Sequence, residues 1–234
     1  MEKRRTDSAE NPKKRRKKGS SHRMVWTLAG LVGLCIVLIL VILLTPPDEY
    51  GPFLDALGMR ESTNNYTLVN QYGYMGRYQM GGVALADAGF QNESGEWTEL
   101  ANAYGIYSRE DFLNSPEGQD AAIRAYHTRI CSYIHAYDLD QYVGKRYCGV
   151  KVTRSGLLAS CHLVGIGTMK NALATDSRTV DGNGVPASEY MELFAGYDIS
   201  TVWNGEYKLG HISQDFSLRP LTKSFDFVRI FPTQ

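Results

Sequence analysis

The chain has 234 residues, enough for one compact domain and an appendage rather than for several domains. Its net charge of zero hides two opposite parts: residues 1–23 carry ten Lys and Arg against three acids, and residues 24–234 carry fifteen against twenty-two. The body is therefore acidic, which argues against nucleic acid as substrate or partner, because phosphate binding needs positive charge on the folded surface.

Residues 1–23 are polar and nearly free of large apolar side chains, the composition of a disordered tail. The run Lys13-Lys14-Arg15-Arg16-Lys17-Lys18 has the form of a nuclear-localisation or nucleic-acid patch. Beside an apolar span it reads instead as a topology signal in contact with anionic lipid. Met24 to Leu44 is that span, 21 residues without a charge. At about 1.5 Å per residue it covers roughly 30 Å, the hydrocarbon thickness of a bilayer. It runs into Thr45-Pro46-Pro47 without a small-residue cleavage site. The expectation is an uncleaved single-pass helix over 24–45, with Trp26 at the interface. The basic tail then stays cytoplasmic in a bacterial inner membrane, and residues 46–234 lie on the periplasmic side.

A helix is predicted over Glu49 to Glu61, with Pro52 in its first turn and Phe53 and Leu57 on one face. Glu61 ends it, where the helix dipole disfavours a negative charge and should push the carboxyl pKa upward. Residues 66–79 change to closely spaced Tyr, Gly and Asn, the pattern of a small irregular β region. Gly81 to Ala88 reads as a helix packed through Val83, Ala84, Leu85 and Ala88, with Gly89 just past its end. Residues 91–110 read as loop with an apolar patch of Trp97, Leu100 and Tyr104. Ser115-Pro116-Glu117 is a strong helix start, and apolar spacing from Ala122 carries that helix to about Tyr137.

Ser155 to Leu173 is a further helical region, broken at Gly165-Ile166-Gly167. Asp181-Gly182-Asn183-Gly184 is a turn that resembles part of a calcium loop but lacks the glutamate and most of the oxygen ligands such a loop needs. Ser188 is a candidate cap for a helix running to Gly196, and residues 197–234 alternate aromatic and polar residues as an extension of the domain. Cys131, Cys148 and Cys161 admit two readings: a Cys131–Cys148 bridge in an oxidising compartment, or small buried apolar residues. No residue spacing points to a metal or a cofactor.

The chemistry concentrates at Glu61. Glycoside cleavage needs an acid to protonate the leaving oxygen and a group to stabilise the oxocarbenium-like sugar, usually a second carboxylate. No Asp or Glu occurs between Glu61 and Asp87, so one carboxylate would serve as acid and then as base. Glu61-Ser62, followed by Gly76-Arg77-Tyr78-Gln79, resembles the Glu-Ser and Gly-Leu-Met-Gln motifs of lysozyme-like lytic transglycosylases. Ser160-Cys161-His162-Leu163-Val164-Gly165-Ile166-Gly167 is similar to that family's Ala-Ala-Tyr-Asn-Ala-Gly-x-Gly segment. Val185-Pro186 with Glu189-Tyr190-Met191 resembles its last motif. His162 and Leu163 stand where the family has Tyr and Asn, a departure from its pattern.

The resemblance covers about residues 50–196 and implies an α+β, mostly α, lysozyme-like domain with a small β region over 46–196. It implies Glu61 as the catalytic acid/base, with Ser62, Tyr78, Gln79, His162 and Tyr190 on the sugar side of the cleft. Tyr78 is expected to stack on a sugar ring. The implied activity is cleavage of the MurNAc-GlcNAc β-1,4 bond of peptidoglycan by a membrane-anchored lytic transglycosylase, or a muramidase-type hydrolase. The alternative is a non-catalytic peptidoglycan-binding scaffold in an envelope or secretion complex.

Overall fold

The computed structural model describes Trp26, residues 31–37 and residues 48–207. The chain divides into two compact units, Met1–Asp48 and Glu49–Gln234. In the first, Trp26 and residues 31–37 are helical and exposed. No helix among the described residues is long and apolar enough to cross a membrane. The rest of the anchor predicted over 24–45, the tail 1–23 and residues 208–234 lie outside the described residues.

Among the described residues the second unit is mostly helical with one small hairpin. Helix α1, Gly51–Ser62, begins with Pro52 in its first turn and buries Phe53, Leu54 and Leu57. It stops because Thr63 turns left-handed (φ 54°) and its N–H returns to the Met59 carbonyl. The tyrosine-rich stretch that follows forms single antiparallel bridges, Val69 with Met75 and Met75 with Met80, rather than strands. Asn70 shapes it by accepting the N–H groups of Tyr72 and Tyr74.

Helix α2, Gly82–Asp87, buries Leu85 and is followed by Gly89 at φ 77°. Val83, expected in its packing face, is exposed, because a helix of six residues presents only one turn and a half to the core. Two short helices interrupt the stretch 91–110 read as loop: α3, Glu99–Asn102, lies within it, and α4, Arg109–Leu113, begins at its end. Thr98 and Ser108 cap them by accepting the N–H of Ala101 and Asp111.

Helix α5, Pro116–Ala136, is the central element. Ser115 accepts the N–H of Gly118, as its Ser-Pro-Glu start predicts. It packs against α2 and α4 and against the later helices α6, Arg154–Val164, α7, Ile166–Thr175, and α9, Ser200–Trp203. A 3-10 turn, Leu139–Tyr142, leads to a hairpin of β1, Arg146–Tyr147, and β2, Val150–Lys151. The strands are antiparallel, Arg146 opposite Lys151 and Tyr147 opposite Val150. Gly165, at φ 81°, separates α6 from α7 as the sequence break predicts.

Helix α8, Ala187–Leu193, starts after Pro186 with no side-chain cap, so Ser188 lies inside the helix rather than at its start. The described part of the extension belongs to the domain: Tyr197 packs on Phe53 and Phe194, and the Trp203 carbonyl hydrogen-bonds His135. Cys131, Cys148 and Cys161 are free thiols, which overturns the bridge reading. Cys131 is buried on α5 while Cys148 is at the hairpin tip, where its N–H donates to Asp176.

Helices α6 and α8 meet at Gly156, where an added Cβ would lie 2.3 Å from the Met191 carbonyl oxygen. That oxygen is backbone and has no room to yield. Gly156→Ala is expected to separate the two helices and cost about 1–3 kcal/mol, the range for overpacking. Thermal unfolding checks the stability loss.

Candidate active site

Glu61 lies in the last turn of α1, its side chain 15% exposed. Tyr190 reaches it from α8 and donates its hydroxyl to Oε1 at 2.7 Å. A second clasp joins the same two helices. Arg60 donates to Oε1 of Glu189 at 2.7 Å, and its guanidinium lies over the Tyr190 ring, 5.6 Å from the centroid. The Glu61 carboxyl is raised above its ordinary value, chiefly by burial, with Asp181 adding to the rise. The Tyr190 hydrogen bond and the Arg60 charge act the other way. The direction is the one expected from the helix end, but its main cause is desolvation.

Asp181 is thus a second carboxylate near enough to act on Glu61, although the sequence offered none between Glu61 and Asp87. Its own oxygens are engaged in the turn. Oδ1 accepts the N–H groups of Asn183 and Val185 at 2.9 and 2.8 Å. This is an Asx turn, the local reason for Asp-Gly-Asn-Gly at that point. Among the described residues no group of His, Cys, Asp and Glu is arranged to hold a metal.

Behind Glu61 stand two histidines. His162, on α6, is 7% exposed, and its Nε2 lies 3.9 Å from Glu61 Oε1. Its Nδ1 is 3.1 Å from Nε2 of His127, on α5. His127 Nδ1 in turn bonds the hydroxyl of Tyr50, the residue preceding α1. Burial depresses both imidazoles, His162 to about 4 and His127 well below the ordinary value, with His162 and Arg124 adding to the latter. Both rings are therefore neutral near pH 7.

The Gly76-Arg77-Tyr78-Gln79 turn is largely scaffold. Tyr78 is 1% exposed and donates its hydroxyl to Asp120 at 2.7 Å, so its ring has no free face for a sugar. Ser62 is buried as well: its hydroxyl donates to the Arg77 carbonyl at 2.8 Å and accepts the Asn65 N–H. It pins the turn to the end of α1 instead of touching substrate. Gln79 is left-handed (φ 46°) and half-buried, and its amide donates to the Gly76 carbonyl at 2.9 Å. Gly76, at φ 75°, sits where a Cβ would strike the Gln119 amide. That amide accepts the Arg77 N–H and donates to the Tyr66 and Phe112 carbonyls.

Of the residues read from the sequence, Glu61, His162 and Tyr190 come together. Ser62, Tyr78 and Gln79 hold the turn beside them. Sequence reading missed Tyr50, Arg60, His127 and Asp181. His127 falls within the apolar stripe of α5 and carries no local signal; only its pairing with His162, 35 residues on, gives it meaning. Comparison of the chain with protein-family models, curated proteins and solved structures returned no match.

Proposed function

We propose that the Glu49–Gln234 unit cleaves the glycan strands of peptidoglycan at the MurNAc-GlcNAc β-1,4 bond, with Glu61 as both acid and base. The observation that carries this reading is a shielded carboxyl, raised by burial and held by the Tyr190 hydroxyl. Such a group retains its proton toward higher pH than a surface glutamate and can deliver it to a glycosidic oxygen. Tyr190 fixes the carboxyl through Oε1. Asp181 accepts two backbone N–H groups on Oδ1 within its own turn, which lowers its nucleophilicity and supports a mechanism without a second protein carboxylate acting as nucleophile. After bond cleavage Glu61 is a carboxylate and takes a proton from the sugar's own 6-hydroxyl, giving an anhydro end. The same base acting on water would give a reducing end. The charged tail and the 24–44 apolar span support an anchored enzyme with this domain facing the wall.

Mass spectrometry of muropeptides released from purified sacculi by the full-length chain tests the proposal. Anhydro-MurNAc products are expected. Reducing-end products would reassign it as a hydrolase, and glycan binding without any soluble product would leave a wall-binding scaffold.

Tyr190→Phe removes the hydrogen bond that lowers the Glu61 pKa. The carboxyl then titrates higher still, so the alkaline limb of the pH–rate profile is expected to move to higher pH. A hydrogen bond to a charged group is worth about 1.5–3 kcal/mol, so the limb should move by about one to two pH units. An unchanged limb would remove Tyr190 from the site.

A further inference from the structure

The buried polar groups behind Glu61 form a line, hydrogen-bonded from Tyr50 through His127 to His162 and open by 3.9 Å at Glu61. Tyr50 hydroxyl, His127 Nδ1 and Nε2, and His162 Nδ1 and Nε2 follow one another and end at Glu61 Oε1. The line starts and finishes at opposite ends of α1, since Tyr50 precedes the helix and Glu61 lies in its last turn. At about 1.5 Å per residue these two positions are roughly 16 Å apart, and the two imidazoles from α5 and α6 bridge that distance alongside the helix. Burying two imidazoles is costly unless their hydrogen bonds are made, and aromatic rings would fill the same space without that cost.

A neutral imidazole carries one N–H and one lone pair. The His127–His162 bond therefore fixes the two rings relative to each other and leaves only two polarities for the line. In one, Tyr50 donates to His127 Nδ1, His127 Nε2–H donates to His162 Nδ1, and His162 presents Nε2–H to Glu61. In the other, His162 Nδ1–H donates to His127 Nε2, His127 Nδ1–H donates to the Tyr50 oxygen, and His162 presents its Nε2 lone pair.

We propose that Tyr50, His127 and His162 are a positioning relay for Glu61, whose hydrogen-bond polarity reverses with the protonation state of that carboxyl. The first polarity faces a carboxylate, the second a carboxylic acid. The two states differ by one proton. In a concerted shift the His162 Nε2–H passes to Glu61 Oε1, the His127 Nε2–H to His162 Nδ1 and the Tyr50 O–H to His127 Nδ1. The Tyr50 oxygen is re-protonated from outside the line, so both imidazoles change tautomer and stay neutral. The 3.9 Å gap from His162 Nε2 to Oε1 needs about 1 Å of closure to become a hydrogen bond, a tightening that active sites undergo on binding substrate. The groups facing the line are Arg124, 5.3 Å from the Tyr50 ring centroid, and Tyr126, whose ring lies against His162. Arg60, Asp181 and Tyr190 face Glu61. The purpose of the relay rests on the acid/base role proposed for Glu61; its tautomer exchange does not.

The test is nitrogen-15 NMR of the full-length chain with labelled histidine, with Glu61 followed through its carboxyl carbon. The N–N scalar coupling across the His127–His162 hydrogen bond identifies the pair. As Glu61 titrates, the N–H of His162 is expected to pass from Nδ1 to Nε2, and His127 to follow. Glu61→Gln, isosteric and always neutral, should hold one polarity over the same pH range. A single fixed tautomer pair in the wild type, an imidazolium signal from either ring, or the same exchange in Glu61→Gln would overturn the relay. Tautomers that track Glu61 in a chain whose Glu61→Gln variant still cleaves wall would sink the function and leave the relay standing. Fixed tautomers with an inactive Glu61→Gln would do the reverse.

Discussion

Glu61→Gln in the full-length chain is expected to lower the release of soluble muropeptides by about 10²–10⁴-fold, the share of a rate that a positioned acid or base supplies. The same variant should be no less stable than the wild type at neutral and alkaline pH. The sign follows from the raised pKa of Glu61. Between the unfolded and folded values the native state binds more protons than the unfolded chain, so wild-type stability falls as pH rises through that window. The penalty is fully present above the folded pKa and absent below the unfolded one. The neutral amide of the Glu61→Gln variant carries no such penalty. The variant's melting temperature should exceed the wild type's at high pH, by about 2–4 °C per kcal/mol relieved, and converge with it in acid. Loss of activity together with loss of stability at all pH values would make Glu61 a structural residue.

The second large effect is expected at Arg77, whose side chain is 9% exposed. Its Nε donates to Asn64 at 2.8 Å, one terminal nitrogen to the Tyr66 hydroxyl at 3.0 Å, and the other to Asp55. The guanidinium also lies over the Tyr66 and Tyr78 rings, 5.4 and 5.0 Å from their centroids. Asp55 is 74% exposed and recovers its hydration when Arg77 is lost, so the ion pair itself contributes little. The cost lies in the Asn64 and Tyr66 bonds and the stacked rings. Arg77→Ala is expected to destabilise by about 2–4 kcal/mol, read as a shift in denaturant midpoint. Arg77→Lys should recover only part, because an ammonium cannot serve three directions in one plane. Because Ser62 is tied to the Arg77 carbonyl, both variants should also disturb Glu61, next to it in the chain.

Strong local signals in the sequence marked the frame of the domain. Pro52, Ser115-Pro116 and the Gly165 break placed α1, α5 and the α6–α7 junction within a residue or two. Helices α3 and α4, of four and five residues, are too short for apolar periodicity to register, and their capping residues were the only mark. Glu61 was legible because a carboxylate at a helix end is a local feature. Ser62 and Tyr78 were misread as sugar contacts because a motif gives residue types but not which way they face. Their burial comes from Asp120, Arg77 and Gln119, which are spread over α5 and the turn. His127 and Asp181 were invisible for the same reason: each acquires its relation to Glu61 only when distant helices pack.

The two contacts that complete the site, Tyr190 with Glu61 and Glu189 with Arg60, each span 129 residues. Contacts of such separation form late, since a long loop must be closed before they stabilise anything. During synthesis Glu61 leaves the ribosome well ahead of the helix that holds its partner. A half-made chain therefore carries the acid as an ordinary solvated glutamate, without the burial that raises its pKa. The shielded carboxyl exists only once α8 has packed, and any product cut short before α8 carries Glu61 without its Tyr190 partner.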